Sequence, residues 1–198
     1  MSYFLSLDQY RGKVAVMIGV LSRIDKAIVE ELEKIWTDRG RIGKKIGASP
    51  KTGPTAHDVA IASRQAIATN TKARNTKGHI VIINNIFENI VINVSGLSIY
   101  PTSKFAVTAL SKTLRLEINK EKLEIKIINL SPGLVKTEFK TMPDGKDAAR
   151  LDNILANLKP EDVADATFYV LSIPEYVNVE ELSVIAHQML EKNSNVLN

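Results

Sequence analysis

The chain has 198 residues, enough for one well-filled domain and too few for two of ordinary size. It has no cysteine, which excludes disulfides, zinc–thiolate sites and thiol nucleophiles. The net charge of +4 is mild and dispersed outside residues 39–51, and aromatics make up 6% of the chain, a composition that argues against a nucleic-acid partner.

Residues 13–19, KVAVMIG, form a short apolar run rich in β-branched residues and ended by glycine. Such a run fits a strand buried on both faces of a parallel sheet. Residues 22–37 follow as a helix, with Ile24, Ile28, Leu32 and Ile35 at helical spacing, Ser22 as N-cap and Asp25 in the first turn. Residues 38–54 change character. Four glycines, two prolines and five basic residues fill 17 positions without periodicity, so a linker is expected. Helix-like composition returns at 56–72, and GHIVIIN (78–84) reads as a second buried strand. A helix is expected over 101–120, a strand over 124–130, a helix over 160–172 opened by Pro160, and a last short strand over 181–187. Strands alternating with helices predict a parallel α/β sheet.

No apolar run reaches the ~18 residues of a membrane span. The opening MSYFLSLDQYRGK lacks the pattern of a secretory leader, so a cytoplasmic protein is expected.

Tyr100-Pro101-Thr102-Ser103-Lys104 is the most informative stretch. Tyr and Lys at i and i+4 lie one turn apart on one helix face. An ammonium beside a phenol favours the phenolate and lowers its pKa, so the pair predicts proton exchange with a carbonyl or alcohol near neutral pH. Alone, the spacing also fits a surface tyrosine stacked on a lysine stem. The surrounding order narrows this, because the pair opens a helix after GHIVIIN and the next strand ends in SPGLVKTEF.

Together with GKVAVMIG and LKPEDVADATFYVLS, these motifs resemble the short-chain dehydrogenase/reductase family, and most of all its insect farnesol-dehydrogenase-like branch. The resemblance covers residues 10–37 and 56–186. It implies a Rossmann-like parallel sheet with helices on both faces and hydride transfer between NADP or NAD and a small lipophilic alcohol or carbonyl. By resemblance Tyr100 is the general acid/base and Lys104 lowers its pKa and holds the nicotinamide ribose. Asn85 stands where the family has its serine, and its amide is expected to orient a substrate oxygen. Pro132, Gly133, Val135 and Thr137 would frame the nicotinamide, while Gly19, Ser22, Arg23 and Ile24 would form the turn at the pyrophosphate. No metal is implied. A homodimer through the helices near 56–72 and 101–120 is expected.

The same comparison exposes departures. The family's glycine-rich turn reads Gly19-Val20-Leu21-Ser22-Arg23-Ile24-Asp25, leaving one glycine of three. Those glycines let a backbone approach a pyrophosphate at a helix N-terminus, where Asp25 now places a negative charge. The family's Asn-Asn-Ala-Gly strand end is absent, and the asparagine of its following helix aligns near Thr55. Residues 38–54 also replace two βα units and a central strand, and one βαβ unit alone needs ~30 residues. A single domain reduced in strand number is therefore expected: a first βα unit at 10–37, the linker, a catalytic-type half at 55–188 and a tail at 189–198. The first strand must then pair directly with GHIVIIN or remain an unsupported edge. Two functions stay open, an active oxidoreductase and a catalytically inactive family member that acts as a binding or interaction protein or is a truncated gene product.

Overall fold

A computed structural model describes residues 14–18, 22–35, 41–42, 56–72, 77–89, 99–136 and 157–187. The strands are β1 (Val14–Ile18), β2 (Arg41–Ile42), β3 (Lys77–Ile83), β4 (Glu124–Pro132) and β5 (Glu181–Val184). The helices are α1 (Ser22–Ile35), α2 (Ala56–Lys72), α3 (Ile99–Lys120) and α4 (Pro160–Ser172), with a 3-10 turn at Ile86–Glu88. All pairings are parallel, in the order β2-β1-β3-β4-β5.

The two faces of the sheet follow from strand alternation. Ile80, Ile82, Ile125 and Ile127 pack with Val59 and Ala62 of α2 and Val107, Leu114 and Ile118 of α3. Val81, Ile83, Ile128 and Leu130 point the other way, onto Ile24, Ile28 and Leu32 of α1 and Val163, Val170 and Leu171 of α4. Helices thus cover both faces, and each fully buried aliphatic side chain contributes about 1.5–3 kcal/mol.

β1 pairs directly with β3, in register Val16↔Ile80, Met17↔Val81 and Ile18↔Ile82. The place of the missing central strand is closed by this pairing. One expectation is corrected here. Residues 38–54 are not a linker throughout, because Arg41 and Ile42 form β2 against Val14 and Ala15. The reason is that backbone groups on the outer side of β1 need partners, and two extended residues supply some of them.

Element ends shift modestly. α3 starts at Ile99, so Tyr100 lies inside its first turn, and β4 continues through Pro132. α3 ends in a turn at Lys122, which takes the left-handed conformation (φ 54°) while Leu123 N–H donates to Ile118 O at 3.2 Å. α4 has the expected bounds, with Pro160 first and Asp162 accepting from the Lys159 N–H at 2.7 Å.

Candidate active site

β3 and β4 end side by side, and the first two turns of α3 cross beside those ends. In parallel α/β sheets ligands bind at this carboxyl edge. Tyr100, Lys104 and Thr108 stand at i, i+4 and i+8 on α3, one stripe facing the edge. Lys104 Nζ lies 5.3 Å from the centre of the Tyr100 ring, and Phe87 meets the same ring edge-on at 5.8 Å. Ser103 closes the first turn by donating to Tyr100 O at 2.7 Å.

Lys104 is 3% exposed. Burial pushes its ammonium down to about 8, while the Glu88 carboxylate pulls in the opposite direction. The sequence predicts a lowered Tyr100 phenol, and this is corrected: burial pushes it above its ordinary range. Desolvation of the phenolate sets this direction.

Beneath the pair lies a polar network that sequence reasoning missed. Glu88, 2% exposed, ends the 3-10 turn after β3. Its Oε2 accepts from Asn84 Nδ2 at 2.5 Å, from Asn129 Nδ2 at 2.5 Å and from the Thr108 hydroxyl. Its Oε1 accepts from Ser131 Oγ at 2.5 Å and Asn89 Nδ2 at 3.3 Å. Asn84 Nδ2 also reaches Lys104 O at 3.2 Å and Thr108 Oγ1 at 3.1 Å. A lone Glu after an apolar run reads as solvated, since Glu is almost never fully buried unless paired. The available signal was alternation. Asn84 continues the Ile80–Ile82 side of β3, and Asn129 and Ser131 continue the Ile125–Ile127 side of β4, so three polar residues face α3 at the strand ends.

The remaining expected residues divide. Asn85 is at the edge, but its Oδ1 caps the 3-10 turn by accepting from Phe87 N–H at 3.1 Å. Its oxygen is committed to the backbone, which leaves Nδ2 as the group for a substrate oxygen. Pro132 ends β4 and Gly133 follows it, both buried, and Gly133 N–H donates to Val184 O at 2.8 Å. Val135 bridges in parallel to Leu158, with Lys136 N–H donating to Leu158 O at 2.9 Å. Ile24 is 2% exposed within the α1 core, so its side chain packs rather than lines a turn. Ser22 and Arg23 open α1. Gly19, Thr55 and Thr137 lie outside the described residues, as does the tail at 189–198.

The residues present suit the nicotinamide end of a dinucleotide. A ribose diol needs donors, and an ammonium and a phenol sit together on one helical stripe at the strand ends. The Pro132-Gly133 segment offers surface rather than a donor, its N–H being given to β5. Among the described residues no group of acidic and histidine side chains forms a metal site, and no helix is long and apolar enough to cross a membrane.

A parallel sheet covered by helices on both faces, with an ionisable pair at its carboxyl edge, defines a doubly wound α/β protein of the Rossmann-like kind. A sequence model described as short chain dehydrogenase matches residues 59–147. Farnesol dehydrogenase of Aedes aegypti is 32% identical over 181 residues, covering 91% of this chain and 67% of that protein. Dehydrogenase/reductase SDR family member 11 of Homo sapiens is 34% identical over 129 residues, 64% of this chain and 50% of that protein. The chain thus spans between half and about two thirds of these relatives' lengths. An alcohol dehydrogenase of the archaeon Thermococcus sibiricus, solved in complex with 5-hydroxy-NADP, shares the fold with a TM-score of 0.56 at 16% identity, covering 88% of this chain and 97% of that one. The chain belongs to the short-chain dehydrogenase/reductase family, of the farnesol dehydrogenase-like kind.

Proposed function

We propose that this chain is an oxidoreductase exchanging a hydride between NADP or NAD and a small lipophilic alcohol or its carbonyl. The observation that carries the proposal is the juxtaposition of Lys104 Nζ and the Tyr100 ring, 5.3 Å apart, at the carboxyl edge of β3 and β4. A nicotinamide supplies the hydride when bound. Tyr100 moves the proton at the substrate oxygen, Lys104 holds the ribose hydroxyls, and Asn85 Nδ2 orients the substrate oxygen. Pro132, Gly133, Val135 and Thr137 frame the ring, and the pyrophosphate side falls to Gly19 and to Ser22, Arg23 and the backbone of Ile24 in the first turn of α1. The farnesol dehydrogenase relative supports a lipophilic substrate.

A second reading, a family member that binds without turnover, has its own support. Within residues 36–55 the described structure holds one two-residue strand, far short of a βαβ unit of ~30 residues. One experiment separates the two. Oxidation of NADPH and of NADH is followed with farnesal-like aldehydes, alongside calorimetry and emission from the single tryptophan, Trp36. Turnover that disappears in Tyr100→Phe and Lys104→Met supports the oxidoreductase. Saturable cofactor binding without turnover supports the second reading, and absence of both overturns the first.

We also propose self-association through α2 and α3, which expose Ile61, Phe105 and, at 70%, Leu116. Sedimentation of Leu116→Glu against the parent checks this, and unchanged association refutes a role for that residue.

A further inference from the structure

We propose that Glu88 is the positioning residue of the Tyr100–Lys104 pair: its anchored carboxylate fastens the α3 stripe that carries both side chains and stands as their fixed counter-charge. The proposal rests on the oxidoreductase reading for its purpose, but not for its test.

Three observations carry it. The first is connection. Asn84 Nδ2 bonds Glu88 Oε2 at 2.5 Å and Lys104 O at 3.2 Å, so one amide ties the carboxylate to the helix backbone that bears the lysine. Thr108, one turn beyond Lys104, donates to the same Oε2. Both contacts fix the α3 stripe against the turn at Ile86–Glu88.

The second observation is charge. Glu88 and Lys104 are 2% and 3% exposed, and a buried charge without its opposite costs several kcal/mol. The groups meeting the carboxylate are three amides and two hydroxyls, from Asn84, Asn89, Asn129, Ser131 and Thr108. None carries charge. The titratable groups facing Lys104 are Tyr100 on its own helix and Glu88 on the turn packed against it. Among the described residues, Glu88 is the anion that acts on Lys104.

The third observation is rigidity. Five donors from β3, β4, α3 and the turn itself surround the two carboxylate oxygens, so Glu88 has no freedom to follow Lys104. A fixed charge acts on the lysine as part of the frame.

The test reads the lysine directly. Protein carrying ¹³C-dimethyl lysines is titrated by NMR, with the Lys104 resonance identified by its loss in Lys104→Met. In Glu88→Gln its midpoint falls by ~0.5–1 pH unit, a three- to tenfold loss of proton affinity, the scale of one withdrawn neighbouring charge. Ser131→Ala keeps the charge and leaves the midpoint in place while lowering stability. A merely structural Glu88 would lower stability in both variants and shift the midpoint in neither, and that result overturns the proposal. Should Glu88→Gln not fold, Glu88→Asp retracts the carboxylate by one methylene, and the midpoint falls in the same direction by less; no fall there overturns the proposal equally. Turnover is not needed. A silent enzyme with a responsive Lys104 refutes the oxidoreductase reading alone, and an active enzyme with an unresponsive Lys104 refutes the role of Glu88 alone.

Discussion

The Ser131 hydroxyl donates to Glu88 Oε1 at 2.5 Å across 43 residues of sequence, fastening the end of β4 to the turn after β3. Ser131 is 0% exposed, and so is Asn129 two residues earlier on the same side of the strand. Removing one donor from a buried carboxylate leaves part of its acceptor capacity unfilled, at a cost of about 1–3 kcal/mol. Ser131→Ala is expected to lower the urea midpoint accordingly with an unchanged slope. A midpoint equal to the parent's would mean that this contact adds nothing to stability.

Arg115 is the second long-range fastening. Its Nη1 donates to Ile127 O at 3.3 Å and to Glu180 O at 3.1 Å, while Nε and Nη2 approach Glu180 and Glu181 at 3.7 and 3.8 Å. The carbonyl bonds are sheltered and the carboxylates are exposed, so the first set decides stability. Arg115→Met is expected to cost about 1.5–3 kcal/mol, because charge-assisted bonds to two carbonyls are lost. Glu181→Gln is expected to cost less than ~1 kcal/mol, as exposed ion pairs do. Thermal melts at low and high salt check both: the arginine loss persists in salt, and the glutamate loss shrinks.

Much of the fold was legible because periodicity and burial agree. The runs at 78–84 and 124–130 alternate onto two helical layers, and Pro160 followed by acids marks the start of α4. β2 was not legible, since Arg41-Ile42 has no pattern of its own and is a strand only because β1 offers it unpaired backbone. Of the site, the Tyr100–Lys104 spacing was readable, because two residues four apart on a helix must meet. Glu88 was not: Asn84 and Asn89 stand near it in sequence, but its other three donors, Asn129, Ser131 and Thr108, reach it only through the packing of β4 and α3. The direction of the Tyr100 shift failed for the same reason: the sequence names the neighbouring charge but not the depth of burial.

His79 gives the fold a pH dependence. It is 7% exposed, and burial, reinforced by Lys126, pushes its imidazole from 6.5 down to about 4. Between those values the unfolded chain binds a proton that the folded one does not. The contribution is therefore fully present above pH 6.5 and is lost as pH falls toward 4, to a total of about 3 kcal/mol. Urea denaturation at neutral pH and near the lower value should show this drop in the parent and a smaller one in His79→Gln. Equal drops in the two proteins would assign the acid sensitivity to carboxylates instead.

Arg23 and Asp25 stand where the family's turn has glycines. Both positions lie within α1, so Arg23→Gly with Asp25→Gly removes helix-favouring residues at up to ~1 kcal/mol each. The gain sought by such a variant is access of a pyrophosphate to the helix N-terminus. That gain has little to act on, because the adenosine half of a doubly wound sheet needs βαβ units of ~30 residues each, and 36–55 is shorter than one of them. The double variant is expected to melt lower than the parent and to oxidise NADPH or NADH no faster with lipophilic aldehydes. A rise of about tenfold, worth ~1.4 kcal/mol in the transition state, would place the limit in the turn rather than in the missing units. Melting and turnover measured on the same preparation distinguish these outcomes, since a variant that fails only by unfolding loses its melt as well as its rate.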